Sequence, residues 1–399
     1  MRKGASHFPE TKRKSGIVWG YLLLVFSLLS LSALYVGIPE LFPFTYISVA
    51  PIKAEVAVIP SIPLHLATPV PLKAVYMTSY VAGSPAVRQG VISLIDETEV
   101  NAVVIDIKDY TGRIAFPVND PVLKETGASE RRISDLDELI KTLHEKNIYV
   151  IGRVSVFQDQ YLVGKRPELA VKNKNGTTEW KDHKGVRWLD AGAKPVWEYI
   201  TAISKEAYAR GFDEINLDYI RFPSDGPMND ISFPWAGSRK KAEVINEFFS
   251  YITDVLRSEG ITVSADLFGM TATNKDDLNI GQILEHALTH FDYVAPMVYP
   301  SHYPPNFNGW PDPNKVPYEI IKFSMDSAAL RATNASTTPL KLRPWLQDFN
   351  YGGVYGPKEV RAQIQATYDA GLDSWMLWNP SNRYTRDALL SASTTDERD

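Results

Sequence analysis

The sequence of 399 residues contains no cysteine. This absence excludes disulfides, thiolate zinc sites, a cysteine nucleophile and lipidation of an N-terminal cysteine. Histidine is scarce as well, with seven residues. His183, His286, His290 and His302 are too scattered for a known ligand motif, and the four-residue spacing of His286 and His290 fits the solvent face of a helix. We therefore expect no metal and no other cofactor.

An excess of positive charge is also missing. The net charge is -5, whereas a protein that binds nucleic acid needs a concentrated basic surface. We therefore expect no nucleic-acid partner. No glycine-rich phosphate loop follows any predicted strand, and we detect no internal repeat.

Aromatic residues, by contrast, are plentiful, with nine Trp and twenty Tyr. Flat aromatic rings stack well on the apolar faces of sugars, and they also fill large cores. The composition fits both uses, so the choice between them depends on where the rings lie in the fold.

An uncharged run of 22 residues, 17–38, is long enough to span a bilayer. Lys12, Arg13 and Lys14 precede it, which predicts a cytoplasmic N-terminus and an external remainder. A cleaved secretory signal is the alternative, because the stretch 30–33 offers small residues to a signal peptidase. The predicted organisation is a cytoplasmic tail (1–16), a transmembrane signal anchor (17–38), a proline-rich extracytoplasmic linker (39–71), a folded domain (72–391) and a flexible tail (392–399).

From residue 72 onward, short apolar runs alternate with amphipathic segments of helical length, as in a parallel sheet built from βα units. Eight alternations predict an α/β fold, a (β/α)8 TIM barrel; a doubly wound open sheet is the alternative. Ser134 is predicted to cap the start of one helix, and Gly211 the end of another. The predicted strands begin at Lys73, Asn101, Ile148, Glu214, Ile261, Asp292, Leu340 and Asp373.

In such a barrel, chemistry takes place at the C-terminal ends of the strands. Asp213, Glu214, Asp292 and Asp373 stand at strand starts, where we expect structural roles. The acids expected near the reactive mouth are Asp106 and Asp109 after strand two, Asp218 after strand four, Asp266 after strand five and Asp348 after strand seven.

Strand alternation places Asn216 with Asp218 on one face, and Ser264 with Asp266 on the corresponding face of the next strand. Cleavage of a glycosidic bond needs one protonated and one ionised carboxyl group, and Asp218 and Asp266 are our candidates for this catalytic pair. Met297 also faces the predicted pocket. The candidate substrate-binding residues are Asp106, Lys108, Arg153, Asn216, Arg221, Tyr299, Trp345, Gln347, Trp378 and Asn379.

Each candidate also has a structural interpretation. Asp218 could form a salt bridge with Arg221, and Asp266 could bond to a loop backbone. Asp106 and Lys108 could form an internal ion pair. Arg153 could orient a catalytic carboxylate or only shape the potential of the pocket. Large aromatic residues at strand ends, such as Trp345 and Trp378, are often core packing, and Asp348 could be a solvated loop acid.

The segments KAVYMTSY, VVIDIKDYTGRI, INLDYIRFP, SADLFG, YVAPMVYPSHY and SWMLWNPSNRY occur in this order. Together they resemble the bacterial family of glycoside-hydrolase-like domains catalogued as domain of unknown function 4015, related to α-amylase-type and chitinase-type barrels. The resemblance covers about residues 72–390. It implies a (β/α)8 barrel of the cell envelope, or a secreted one, that acts on carbohydrate.

The wider resemblance also suggests roles. α-Amylase-like barrels carry an aspartate nucleophile after strand four and a glutamate acid/base after strand five. Asp218 matches the first position, while Asp266 is one methylene shorter than the second. Met297, Tyr299 and Trp378 are similar to elements of chitinase-like barrels, but the strand-four glutamate of that pattern is absent.

Three functional hypotheses follow. The first is a membrane-anchored extracytoplasmic glycoside hydrolase whose partners are a polysaccharide or oligosaccharide substrate and, through the N-terminal helix, the membrane. The second is a non-catalytic carbohydrate-binding barrel of the cell envelope. The third is a metal-dependent hydrolase such as a polysaccharide deacetylase, which insensitivity to chelators would exclude.

Overall fold

The structure is a computed structural model that describes residues 15–41 and 63–392. Most of the predicted cytoplasmic tail, linker residues 42–62 and the final residues 393–399 lie outside the described residues. Helix α1 (Ser15–Leu41) contains an apolar stretch, Val18–Tyr35, that is long enough to cross a membrane. A signal sequence would meet the same criterion of length and composition.

The described residues 63–392 belong to a separate compact unit. Its eight parallel strands pair in chain order and close into a barrel, with the last strand beside the first, which confirms the predicted TIM barrel. The strands are β1 (Lys73–Met77), β2 (Ala102–Lys108), β3 (Tyr149–Ser155), β4 (Glu214–Asp218), β5 (Thr262–Phe268), β6 (Tyr293–Met297), β7 (Trp345–Gln347) and β8 (Trp375–Trp378).

Helices alternate with these strands on the outside of the barrel, and short 3₁₀ turns occur in the loops. The helices are α2 (Ser79–Ala82), α3 (Pro85–Glu97), α4 (Pro121–Thr126), α5 (Leu136–Glu145), α6 (Gln160–Lys165), α7 (Lys194–Ala209), α8 (Lys241–Arg257), α9 (Leu284–His290), α10 (Pro317–Asn334) and α11 (Pro357–Asp369).

Two apolar clusters follow from the alternation of side chains along the strands. Outward-facing residues such as Val103, Ile105 and Ile107 pack against the helices in the larger cluster. Inward-facing residues form the smaller cluster inside the barrel, to which Val104 and Ile151 belong. Polar residues take over the inward positions toward the C-terminal ends of the strands, where the candidate site lies.

The N-terminal end of the barrel is closed by residues 63–71, which the sequence assigns to the linker. The backbone N–H of Leu66 donates to Asp213 Oδ1 at 2.7 Å, and Thr68 Oγ1 lies 3.0 Å from the Tyr149 hydroxyl. The compact unit therefore begins before residue 72. Asp213 also accepts a hydrogen bond from Val150 N, at 2.8 Å, so this acid at a strand start is structural, as predicted.

Several predicted boundaries differ from the structure, and five strands begin one or two residues later than predicted. Helix α5 is capped by Asp135 rather than Ser134. Helix α7 is capped by Arg210, and Gly211 follows with φ 101°, the left-handed conformation that commonly terminates a helix. Strand β7 begins at Trp345 and not at Leu340, because Pro344 cannot donate to a ladder and the preceding residues form a 3₁₀ turn.

Candidate active site

Arg153, near the end of β3, is the centre of the polar cluster inside the barrel mouth. Its Nη1 donates to Asp106 Oδ1 at 2.5 Å, and its Nη2 donates to Asp218 Oδ2. Its Nε lies 3.7 Å from Asp266 Oδ2. One guanidinium from β3 therefore joins the carboxyl groups of β2, β4 and β5. This arrangement agrees with the predicted possibility that Arg153 orients a carboxylate.

Asp218, the last residue of β4, is held on both oxygens. Besides the Arg153 bond to Oδ2, its Oδ1 accepts the backbone N–H of Tyr219 at 2.5 Å. Tyr219 has φ 52°, a left-handed conformation that is uncommon for an aromatic residue and that often marks functional sites. The predicted alternative, a salt bridge from Asp218 to Arg221, is wrong, because Arg153 takes that place.

Asp266 lies deeper in the barrel than Asp218 and is 1% exposed. Its Oδ1 accepts two hydrogen bonds, from Asn216 Nδ2 at 2.9 Å and from Trp345 Nε1 at 2.7 Å. Both donors are side chains, so the predicted alternative of a bond to a loop backbone is wrong. Asn216 also donates to Ser264 Oγ at 3.1 Å, and the pair predicted to share a face with these acids is therefore confirmed.

The cluster has one permanent positive charge for three carboxyl groups, which makes full ionisation costly at a buried position. Burial raises the pKa of Asp266 to about 8, and the negative charge of Asp218 adds to this shift. Burial likewise raises the pKa of Asp106. Burial alone would lower the pKa of Arg153, but the carboxylates of Asp218 and Asp106 raise it well above its ordinary value. The site thus combines a firmly charged guanidinium with a carboxyl group that retains its proton near neutral pH.

Two aromatic rings cover the cluster from the side of β1 and β8. Trp378 is stacked on Tyr76 with ring centroids 3.8 Å apart, and the guanidinium carbon of Arg153 lies 5.0 Å from the centroid of the Trp378 ring. The Tyr76 hydroxyl donates to Asp106 Oδ2. Asp106 therefore serves to hold Arg153, and both of its oxygens are occupied.

Lys108 does not join this cluster. A register shift between Asp106 and Lys108 takes the lysine away from the pocket. Its ammonium group is fully buried, donates to Ser155 O at 2.5 Å and pairs with Asp159 at 2.9 Å. The predicted Asp106–Lys108 ion pair is therefore wrong, and a contact from Lys108 to substrate does not fit its burial.

Three other candidates are buried around the mouth. Trp345 is fully buried, so its ring is no stacking surface for a sugar, contrary to the prediction. Gln347 is fully buried as well; its Oε1 accepts the N–H of Ser301 at 3.2 Å and its Nε2 donates to Phe349 O at 3.0 Å. Asn379 donates to two backbone carbonyls of neighbouring loops. They shape the site rather than line it.

Asp348 also differs from its predicted interpretation as a solvated acid, because it is 2% exposed. Its carboxylate accepts the hydroxyl of Thr385 at 2.6 Å and the backbone N–H of the same residue at 2.8 Å. Burial raises the pKa of Asp348 to about 6. It borders a neighbouring depression of the surface that shares Phe349, Tyr351 and Pro380 with the main cavity.

A cavity of about 570 Å³ opens above the cluster. Five predicted residues line it, namely Arg153, Asp218, Arg221, Tyr299 and Trp378. Met297, predicted to face the pocket, lines it too. The lining residues that sequence reasoning had not assigned to the pocket are Lys184, Tyr219, Phe268, Gln282, Ser301, His302, Phe349, Tyr351 and Pro380.

Most of these unassigned residues lie in loops, where alternation gives no signal. Tyr76, which contacts Asp106 and Trp378, was also missed, although strand alternation from Ala74 in β1 would have placed it inside the barrel. Among the described residues, no group of three or more His, Asp or Glu side chains is arranged to hold a metal ion. His290 instead contacts Asn246 on the neighbouring helix, with Nε2 3.1 Å from Oδ1.

Comparison with known proteins identifies a domain family and a similar chain. A family model described as "DUF4015: Putative glycosyl hydrolase domain" matches residues 74–384. A hypothetical protein from Ruminiclostridium thermocellum, whose structure is solved, shares 40% identity over 52% of this chain and 98% of its own, with a TM-score of 0.44. A comparison with curated proteins finds no match.

Two more distant structures share the barrel. The PgaB (BpsB) glycoside hydrolase domain from Bordetella bronchiseptica is 14% identical and is matched over 80% of this chain and 99% of its own, with a TM-score of 0.59. The α-L-fucosidase isoenzyme 2 from Paenibacillus thiaminolyticus is 14% identical over 80% of this chain and 47% of its own, with a TM-score of 0.53. At these identities the likeness shows the fold.

Proposed function

The chain belongs to this glycosyl hydrolase domain family, and on that premise we propose that it is an extracytoplasmic glycoside hydrolase that cleaves a polysaccharide with Asp218 and Asp266. One observation carries the proposal: Asp218 lies on the cavity wall while Asp266, from the adjacent strand, approaches the same guanidinium. Two carboxyl groups in different environments are what hydrolysis of a glycosidic bond requires.

The roles follow from the two environments. Asp218 is paired with Arg153 and faces the cavity, which suits an ionised group that attacks the anomeric carbon. Asp266 retains its proton and would give it to the departing glycosidic oxygen. In the second half of the reaction, ionised Asp266 would take a proton from water as the water oxygen displaces Asp218 from the sugar. At the end of the reaction cycle, Asp218 is again ionised and Asp266 is again protonated.

The direct test is a panel of polysaccharides incubated with the protein and assayed for released reducing ends. At least one member is expected to give reducing ends in proportion to time and protein. Binding of the same panel is measured in parallel by affinity electrophoresis. A polysaccharide that is bound but not cleaved after prolonged incubation would contradict the proposal.

One observation favours the alternative of a non-catalytic carbohydrate-binding barrel. Asp218 is the one carboxylate among the described residues that line the cavity, while Asp266 lies beneath the surface. In that case Asp266 would only fix the fold of the mouth, and Tyr299, Trp378 and the exposed Tyr351 would bind the glycan. Binding without cleavage is the result that selects this function.

The pH dependence of kcat/KM tests Asp266 as the acid. With a pKa raised to about 8, the proton is present at neutral pH, so we expect activity to fall as pH rises through about 8. The Trp345→Phe variant removes a hydrogen bond that favours the ionised carboxylate, and we expect its alkaline limb to move to higher pH. An alkaline limb that stays in place in this variant would argue against Asp266 as the titrating group.

We also propose that α1 is an uncleaved anchor that keeps the barrel outside the cytoplasm. An apolar helix of this length, preceded by basic residues, supports the proposal. In a bacterial host, the full chain is expected in the membrane fraction after alkaline carbonate extraction, whereas a chain that begins at residue 50 is expected to be soluble. A mature N-terminus near residue 33 would instead identify a cleaved signal.

A further inference from the structure

Positive charge predominates on the cavity wall. Arg153, Lys184 and Arg221 line it, and Asp218 is the sole carboxylate among the described lining residues. This is unexpected in a protein whose net charge is -5. Arg153 is already paired with two carboxylates. Within the part of the chain that the structure describes, Lys184 and Arg221 form no ion pair, although the carboxylates of Asp218, Asp225 and Asp182 act on Arg221 from a longer distance.

Arg221 is held in place by contacts that leave part of its guanidinium unused. Its carbon Cζ lies 5.0 Å from the centroid of a Trp188 ring and 5.7 Å from that of Tyr219. Its Nη1 donates to Phe222 O at 3.0 Å and to Ser224 Oγ at 3.2 Å. No acceptor among the described residues takes its other N–H groups. A guanidinium fixed in this way is organised for a bidentate bond to a planar anion.

Lys184 carries its charge on the long connection between α6 and α7, on the same wall as His302. Both residues line the cavity, and the charge of Lys184 adds to the effect of burial in lowering the pKa of His302. Asp182 does not neutralise this lysine. Its carboxylate accepts the backbone N–H groups of Lys184 and Val186, at 2.9 and 2.8 Å, and the indole N–H of Trp188 at 3.2 Å.

We infer that the substrate is an acidic glycan, and that a carboxylate or phosphate group on it binds between Arg221 and Lys184. The inference rests on the proposed function and adds the class of substrate. Arg221 supplies directional N–H donors and Lys184 supplies a mobile point charge, so the site suits an anion attached to a sugar next to the one that Asp218 attacks. A hydrogen bond to a charged group of this kind changes affinity by about tenfold or more.

The test measures binding to pairs of polysaccharides that differ only in charge. The carboxylate arm uses polygalacturonate, alginate and hyaluronan, each with its carboxyl-reduced form, and the phosphate arm uses phosphomannan with its dephosphorylated form. Affinity electrophoresis is performed with the wild type, Arg221→Gln, Lys184→Gln and a control, Lys240→Gln. Lys240 is exposed at the start of α8, where it pairs with Glu243.

We expect at least one charged polysaccharide to bind about tenfold or more tightly than its neutral form, with an affinity that falls as salt is added. Arg221→Gln and Lys184→Gln should each lose this preference, and Lys240→Gln should keep it. Lys184 is exposed, so its substitution tests the site without disturbing the fold. Equal binding within every pair, no binding by any charged member, or a preference that survives both substitutions would overturn the inference.

Reducing-end release from the same samples separates this inference from the proposed function. A preference for the charged member with no cleavage would reject the hydrolase and retain the acidic-glycan site. Cleavage of a neutral polysaccharide, with no preference for the charged one, would retain the hydrolase and reject the acidic-glycan site. The arm in which the preference is found identifies the anion as a carboxylate or a phosphate.

Discussion

Replacement of Asp218 by Asn is expected to lower kcat by at least about 10³-fold, while the protein stays folded. Asn has almost the same shape but cannot attack the anomeric carbon, and the cavity has no second carboxylate among its described lining residues. The substitution also removes one of three carboxyl groups that crowd Arg153. We therefore expect the thermal transition to stay in place or to rise. Reducing-end release and differential scanning calorimetry measure the two effects.

The matched control is Asp373→Asn, which makes the same change at the opposite end of the barrel. Asp373 stands just before β8 and accepts the hydroxyl of Ser374 at 2.7 Å. We expect this variant to keep activity close to that of the wild type. If Asp218→Asn lost activity only together with its thermal transition, Asp218 would be structural. If it kept activity, the catalytic assignment would be wrong.

The sequence was sufficient to predict the barrel because short apolar strands alternate with amphipathic helices eight times along the chain. Within the strands, successive side chains point to opposite faces. Strand order and the polar inward faces of β4 and β5 follow from this regularity. The rule that chemistry lies at strand ends then placed Asp218 correctly on the cavity wall. These inferences need only local information, namely the period of the side chains and the direction of the strands.

The rest of the site depends on information that is not local. A single register shift in β2 takes Lys108 to Asp159, and no periodicity in the strand indicates such a bulge. The choice of Arg153 rather than Arg221 as the partner of Asp218 depends on how adjacent strands are staggered. Lys184 and Tyr351 reach the cavity from long loops, whose course is set by packing between distant parts of the chain. Alternation along each strand therefore predicted where the barrel mouth lies. It did not predict which residues pair with each other there or which loop residues reach the cavity.

Arg153 should have the largest effect on stability of any residue in the cluster. Arg153→Met keeps most of the side-chain volume but leaves Asp106, Asp218 and Asp266 buried without their cation. Removal of one partner from a buried ion pair costs about 3–5 kcal/mol, because the remaining charge is uncompensated. We expect a loss of this size at neutral pH, measured by urea denaturation.

The loss should also depend on pH. Burial already raises the pKa values of Asp106 and Asp266, and loss of the Arg153 cation raises them further, so the folded state binds more protons than the unfolded state. Stability is then retained near pH 4, where protons neutralise the cluster, and is lost as pH rises toward 8. Arg386→Met is the control, since the Arg386–Glu97 pair is exposed, and we expect its loss to stay below about 1 kcal/mol at every pH.

A second change identifies the cause of the instability. In the double variant Arg153→Met, Asp218→Asn, one of the orphaned charges is absent, so part of the lost stability should return at neutral pH. A loss caused by poor packing of methionine would be the same at pH 4 and pH 7 and would not be relieved by Asp218→Asn. The pH dependence and the double variant together test whether the charge of Arg153 allows three acidic groups to lie in one barrel mouth. The proposed pair of catalytic carboxyl groups, Asp218 and Asp266, depends on that condition.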